Sequence, residues 1–175
     1  MELDEFNTAD AGTAAELVNV WAAIPRWVDA VVAGRPYAGV DALATSAGAL
    51  AAGWTASDLD AALAHHPRIG EKPRGSGAEA AASRTEQASM SSATDEVAAR
   101  LAAGNVAYEE RFGRVFLIRA AGRTPEQMLA ELDRRLGNDP ASETDEAAAQ
   151  LAEIALLRLR STIVENATPD ARVPR

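Results

Sequence analysis

The chain holds two histidines, His65 and His66, side by side in the stretch A-H-H-P-R-I-G-E-K at Ala64 to Lys72. Imidazole is the side chain whose ordinary pKa lets it give and take a proton near neutral pH, so proton-transfer chemistry is expected to begin here. There is no cysteine, which excludes a thiolate nucleophile, a disulfide and thiolate-bound metal. Adjacent histidines direct their rings apart, and no H-x-x-x-H pair completes a zinc set, so no metal is expected. Pro67 forbids helix continuation and pushes His66 toward extended backbone, placing it at the last turn of a helix beside a Gly-containing loop. Leu59, Leu63 and His66 fall at i, i+4 and i+7, so His66 continues the apolar stripe and faces inward, while His65 falls beside Asp58 and Ala61. A histidine in that place can also serve only to stabilise the terminal carbonyls through the helix dipole.

Two further charged residues stand out. Ser83-Arg84-Thr85-Glu86 has the spacing of a capping box and is expected to open a helix that includes Gln87. A carboxylate at a helix start is held in place and kept ionised, which suits a cap and equally suits a group that orients a histidine. Arg158 projects between Leu151, Ile154 and Ala155 on the last helix, whereas Arg160 points away, so Arg158 is expected to be buried or to line a cleft. It can be an interhelical ion-pair partner or a clamp for an anion.

The elements that must position these groups are helical. Leu17, Val20, Trp21 and Ile24 follow the cap candidates Thr8 and Asp10 at helical spacing, and Pro25 divides that segment from a second, Trp27 to Val32, closed by Gly34 and Pro36. A third helix is expected from about Asp41 to Trp54, with Leu43, Ala47, Leu50, Ala51 and Trp54 inward, and a Thr55/Asp58 capping box starts the one carrying His66. Pro67 to Ala82, with three glycines and a further proline, reads as a loop. It lacks the lysine-serine or lysine-threonine ending of a phosphate loop. Val97, Leu101, Asn105, Tyr108 and Phe112 share one face of a long helix stopped by Gly113, with polar Asn105 the odd member. Val115 to Ile118 is the one stretch that reads as extended. Thr124-Pro125-Glu126-Gln127 starts a helix with Met128, Leu129, Leu132 and Leu136 that ends at Gly137, and the last helix runs from about Ser142 to Val164.

The 175 residues, 47% of them hydrophobic, suffice for one core, so the expectation is an all-α, single-domain helical bundle of about seven to nine helices over residues 1–165, with 166–175 a frayed tail. A formal net charge of −9 argues against a nucleic-acid partner. Any anion site must then be local, from groups such as Arg68, Lys72, Arg74, Arg119 or Arg158. No apolar run approaches bilayer-spanning length and no signal segment is evident, so a cytoplasmic protein without a membrane partner is expected.

Taken together, H-P-R-I-G-E-K at His66 to Lys72, S-R-T-E-Q at Ser83 to Gln87, N-V-A-Y-E-E-R-F-G at Asn105 to Gly113 and L-R-L-R at Leu157 to Arg160 resemble one family. It is the 2-oxo-4-hydroxy-4-carboxy-5-ureidoimidazoline (OHCU) decarboxylases of purine breakdown. The resemblance covers about Phe6 to Val164 and includes Pro25-Arg26-Trp27 and Arg35-Pro36. It implies an all-α homodimer that works without metal or organic cofactor and converts a small anionic product of urate oxidation to (S)-allantoin. His66 then becomes the catalytic acid and Glu86 the group that orients it. Pro67, Ser83, Gln87, the stretch Phe116, Leu117, Ile118, Arg119 and Ala120, and Arg158 become substrate contacts. Val115 stands where many members have proline, and Arg119 replaces a residue that is often small. A non-catalytic helical interaction domain, or an enzyme of the same scaffold acting on another ureido ring compound, are the competing readings.

Overall fold

A computed structural model describes residues 1–64, 66–71 and 77–166, apart from the side chains of Glu79, Ala80 and Glu86. Nine α-helices stand among the described residues: α1 (Leu3–Thr8), α2 (Ala11–Trp21), α3 (Pro25–Ala33), α4 (Val40–Ala51), α5 (Ala56–Leu63), α6 (Ala78–Glu86), α7 (Asp95–Phe112), α8 (Pro125–Arg135) and α9 (Pro140–Thr162). A 3₁₀ turn, Ala88–Ser92, follows α6, and no sheet forms among these residues. None of the helices described is long and apolar enough to cross a membrane.

The helix starts follow local chemistry. Asp10 caps α2 by accepting from the Thr13 amide, Pro25 occupies the first turn of α3, and Thr55/Asp58 and Thr124/Gln127 form reciprocal capping boxes on α5 and α8. Gly113 ends α7 at φ 72°, a left-handed conformation that only glycine adopts without strain. Short α1 was not expected from the sequence. Its start is pinned to the far end of the chain, with Leu3 N donating to Val164 O at 3.0 Å and Val164 N to Met1 O at 3.1 Å.

The structure corrects several boundaries and faces. The segment between Pro67 and Ala82 is not loop throughout, because α6 begins at Ala78 behind Gly77. Ser83 therefore lies inside a helix, and Glu86 is the last residue of α6 rather than a member of its first turn. The alanine-rich run before Ser83 propagates helix, so the S-x-x-E spacing has no extended N-cap to act from. Trp21 and Ile24 are buried as expected, whereas earlier on α2 the inward places belong to Ala14 and Val18 and the expected Leu17 and Val20 are half-buried. On α4, Leu50 is exposed and Ala44 takes the inward place, while Trp54 lies beyond the helix. The last helix starts at Pro140, capped by Asp139. His65, Lys72, Arg74 and the tail beyond Asn166 lie outside the described residues.

Two hydrophobic clusters result. One joins α1 to α5 with α9, around Phe6, Trp21, Trp27, Leu43, Leu59 and Leu159. The other joins α7 and α8, around Leu101, Tyr108, Met128 and Leu132, with Ile69. The extended segment after Gly113 runs between them and alternates: Leu117 belongs to the first cluster, whereas Phe116, Ile118 and Ala120 belong to the second. That is the period-two alternation of extended chain, with a core on each side in place of a sheet.

Candidate active site

A cavity opens where the two clusters meet. Its wall includes His66, Pro67 and Ile69 from the segment after α5, Gln87 at the end of α6, residues 116–121, and Ile154 and Leu157 of α9. Its interior holds about 30 Å³, room for a water or two, and the cavity opens to solvent beyond that.

The segment carrying His66 begins where α5 ends. The His66 amide donates to Leu63 O at 3.0 Å, continuing the turn, and Pro67 stops it. Beyond Pro67, side chains from α7 and from Gln87, just past the end of α6, hold the backbone in place. Asn105 Nδ2 donates to Ile69 O at 3.0 Å, and Gly70 N donates to Gln87 Oε1 at 3.0 Å. The Arg68 guanidinium meets the Glu109 carboxylate through Nε at 2.5 Å and Nη2 at 2.6 Å. The polar member of the α7 stripe thus has its explanation: it satisfies a buried backbone carbonyl that no regular element serves. His66 is half-buried, with Nδ1 3.3 Å from the Pro67 carbonyl. A carbonyl oxygen only accepts, so this contact favours a proton on Nδ1 and leaves Nε2 as the nitrogen suited to exchange one.

The opposite wall, residues 116–120, is likewise held by side chains. Arg135 Nη1 donates to Leu117 O at 2.7 Å, Arg119 N donates to Gln150 Oε1 at 2.9 Å, and Arg123 Nη1 donates to Arg119 O at 2.5 Å. Arg135 is buried against Glu143, its Nη2 2.5 Å from Oε1, and its guanidinium lies 4.8 Å from the Phe116 ring centroid. Tyr108 donates its hydroxyl to the same carboxylate. Burial first, and then that bond to Glu143, push the Tyr108 phenol well above its ordinary value. Removing one partner from such a buried charge pair costs about 3–5 kcal/mol.

The sequence-derived candidates thus divide. His66, Pro67, Gln87 and Phe116 to Ala120 come together in the wall. Ser83 and Arg158, both buried, are not among the wall residues; they meet each other, with Arg158 Nη2 3.4 Å from Ser83 Oγ and Nη1 donating to Val20 O at 2.9 Å. Glu86 stands next to the wall residue Gln87 along the chain, and its side chain lies outside the described part of the structure. Of the other cations named from the sequence, Arg68 is paired with Glu109 and Arg119 with Glu153 at 2.7 Å. Ile154 and Leu157, at i and i+3 on α9, line the cavity without having been singled out as contacts. The α9 stripe was legible, but which part of it would face a cavity depended on how α9 met the extended segment.

Comparison with known proteins shows what the chain as a whole is similar to. The OHCU decarboxylase family profile matches residues 7–160. The 2-oxo-4-hydroxy-4-carboxy-5-ureidoimidazoline decarboxylase of Amia calva is 34% identical over 147 residues, covering 83% of this chain and 84% of its own. The enzyme of the same name from Mus musculus is 30% identical over 165 residues, 91% of each chain. A crystal structure of an OHCU decarboxylase in the presence of (S)-allantoin superposes with a TM-score of 0.72 at 25% identity, covering 84% of this chain and 96% of that one. A profile match over most of the length, two relatives aligned nearly end to end and the same helical architecture lead to one conclusion: this chain belongs to the OHCU decarboxylase family.

Proposed function

We propose that this protein decarboxylates 2-oxo-4-hydroxy-4-carboxy-5-ureidoimidazoline to (S)-allantoin in urate degradation. The observation that carries the reading, beside family membership, is that His66 and the segment Phe116 to Ala120 face one small cavity at the junction of the two cores. In the reaction the bond to the carboxylate breaks, carbon dioxide leaves, and the electron pair passes into the adjacent ring before a proton returns to carbon. The protein's task is to orient the carboxylate and deliver that proton to one face.

His66 is the proton donor in this proposal, and Glu86, the neighbour of wall residue Gln87, orients it and favours the protonated ring. Glu86 ends α6 rather than opening it, so its role rests on the family motif S-R-T-E-Q at Ser83 to Gln87. Pro67, Gln87 and residues 116–120 contact substrate from the wall. Ser83 and Arg158 bear on it from their shared contact, Arg158 supplying positive charge for the carboxylate. No metal or organic cofactor takes part. A homodimer belongs to the same proposal, on the family resemblance, and light scattering of the purified protein tests it. A cytoplasmic location fits the absence of cysteine.

The test generates the unstable substrate enzymatically from urate and follows the optical activity of the allantoin formed. Enrichment in the (S) enantiomer above the racemic spontaneous product supports the reading. Racemic allantoin at the spontaneous rate rejects it.

A further inference from the structure

Backbone in a folded interior must find hydrogen-bond partners, and the segment 116–120 belongs to no sheet. The partners found here are side chains of two helices and a turn. Arg135, at the end of α8, holds the Leu117 carbonyl, and Gln150, midway along α9, holds the Arg119 amide. Arg123, in the turn before α8, donates to the Arg119 carbonyl and, at 3.3 Å, to Gln150 Oε1 as well. Each of these side chains is itself fixed: Arg135 by Glu143, and Gln150 and Arg123 by one another. None of Arg135, Arg123 or Gln150 is among the residues of the cavity wall.

We propose that Arg135 and Gln150 are positioning residues for the decarboxylation, acting through the backbone of residues 117–119 to hold the wall opposite His66 at its working distance. The inference rests on the decarboxylase reading and adds to it residues that do not touch the substrate. Its physical basis is that a ribbon lacking a strand partner keeps its place only as well as its struts do. A displacement of the order of 1 Å in a positioning surface can cost about 100-fold in rate.

Gln150 gives the cleaner experiment, because it is half-buried on α9 and outside both hydrophobic clusters. Gln150→Leu keeps a side chain of comparable bulk and removes the acceptor for the Arg119 amide, whereas Gln150→Glu keeps both the length and an acceptor for Arg119 and Arg123. The expected result is a fall of about tenfold or more in kcat/KM and a lower (S) excess for Gln150→Leu. Gln150→Glu is expected to stay within about threefold of wild type, and the thermal midpoints of both to stay close to it. Arg135→Lys is expected to lose more, since a single ammonium cannot serve Leu117 and Glu143 in the same fork geometry; if it does not fold, the Gln150 pair decides.

Wild-type kcat/KM and product excess in Gln150→Leu would overturn the inference while leaving the activity intact. Equal losses in Gln150→Leu and Gln150→Glu would overturn it too, since the packing of the side chain rather than its oxygen would then matter. A wild-type protein that yields only racemic product rejects the decarboxylase reading and this inference with it, so the two failures are told apart by the wild-type lane.

Discussion

At the scale of single residues, the geometry makes a sharp demand on His66. Its ring lies in the wall, its backbone is fixed by the turn after α5, and Nδ1 faces the Pro67 carbonyl. Asn in its place can keep a polar contact near Nδ1 but cannot deliver a proton at Nε2. His66→Asn is therefore expected to lower kcat/KM by about 100-fold or more and to bring the product toward racemic, with little change in thermal midpoint. Retention of full rate and full (S) excess would remove His66 from the mechanism. The same scale shows what the sequence could and could not disclose. Arg158 was recognisable as inward because it shares a stripe with Leu151, Ile154 and Ala155, and it is buried. Arg135 satisfies the same rule, at i+3 and i+7 from Leu132 and Met128, and Glu143 lies on the α9 stripe with Ala147. Two opposite charges on the apolar faces of successive helices are a legible sign of a buried pair. What no spacing reveals is that the pair's spare donor reaches the Leu117 carbonyl.

At the scale of elements, reciprocal caps were legible where the preceding residue could be extended, as at Thr55 and Thr124, and misleading at Ser83, where helix was already under way. The close approach of α7 and α8 was not legible at all, though it sets the wall on the Ile69 side. Gly104 sits on α7 where Leu132 of α8 packs: a Cβ there would stand 2.6 Å from Leu132 Cδ2 and 3.1 Å from Cγ. Leu132 is fully buried, so it has little room to withdraw. Alanine gains about 1 kcal/mol of helix propensity over glycine, while overpacking of this kind costs about 1–3 kcal/mol. Gly104→Ala is thus expected to destabilise the fold by about 1 kcal/mol in urea titration. Because the next residue, Asn105, holds the Ile69 carbonyl, KM is expected to rise as well. A higher denaturation midpoint would mean that Leu132 can repack and that the two helices are not in tight contact here.

At the scale of the whole molecule, the all-α outcome was legible from periodicity, while the division of the core by one extended ribbon was not, because it depends on which faces meet. The distribution of acids gives the molecule a collective property. The carboxyls of Asp10, Asp58, Glu126 and Asp139 are all held below their ordinary range, and each stands at a helix start. For Asp10 the main cause is the Thr13 hydroxyl, with the Thr13 amide next; for Asp139 it is the hydroxyl and then the amide of Ser142. For Asp58 the Arg26 guanidinium comes first and Thr55 second, and for Glu126 its own amide. A carboxyl held low in the folded state binds fewer protons there than in the unfolded chain. Its stabilising contribution is therefore complete above the unfolded value, near pH 4, and is lost as pH falls through the folded one. The urea midpoint is expected to be flat from about pH 8 to 5 and to fall steeply below about pH 4. Asparagine caps a helix about as well as aspartate but does not titrate. The double variant Asp10→Asn, Asp139→Asn should keep its midpoint at pH 7 and show a shallower decline between about pH 4 and 2. An unchanged acid slope in that variant would mean that the loss of stability comes from the general rise in positive charge, with the helix starts playing no special part.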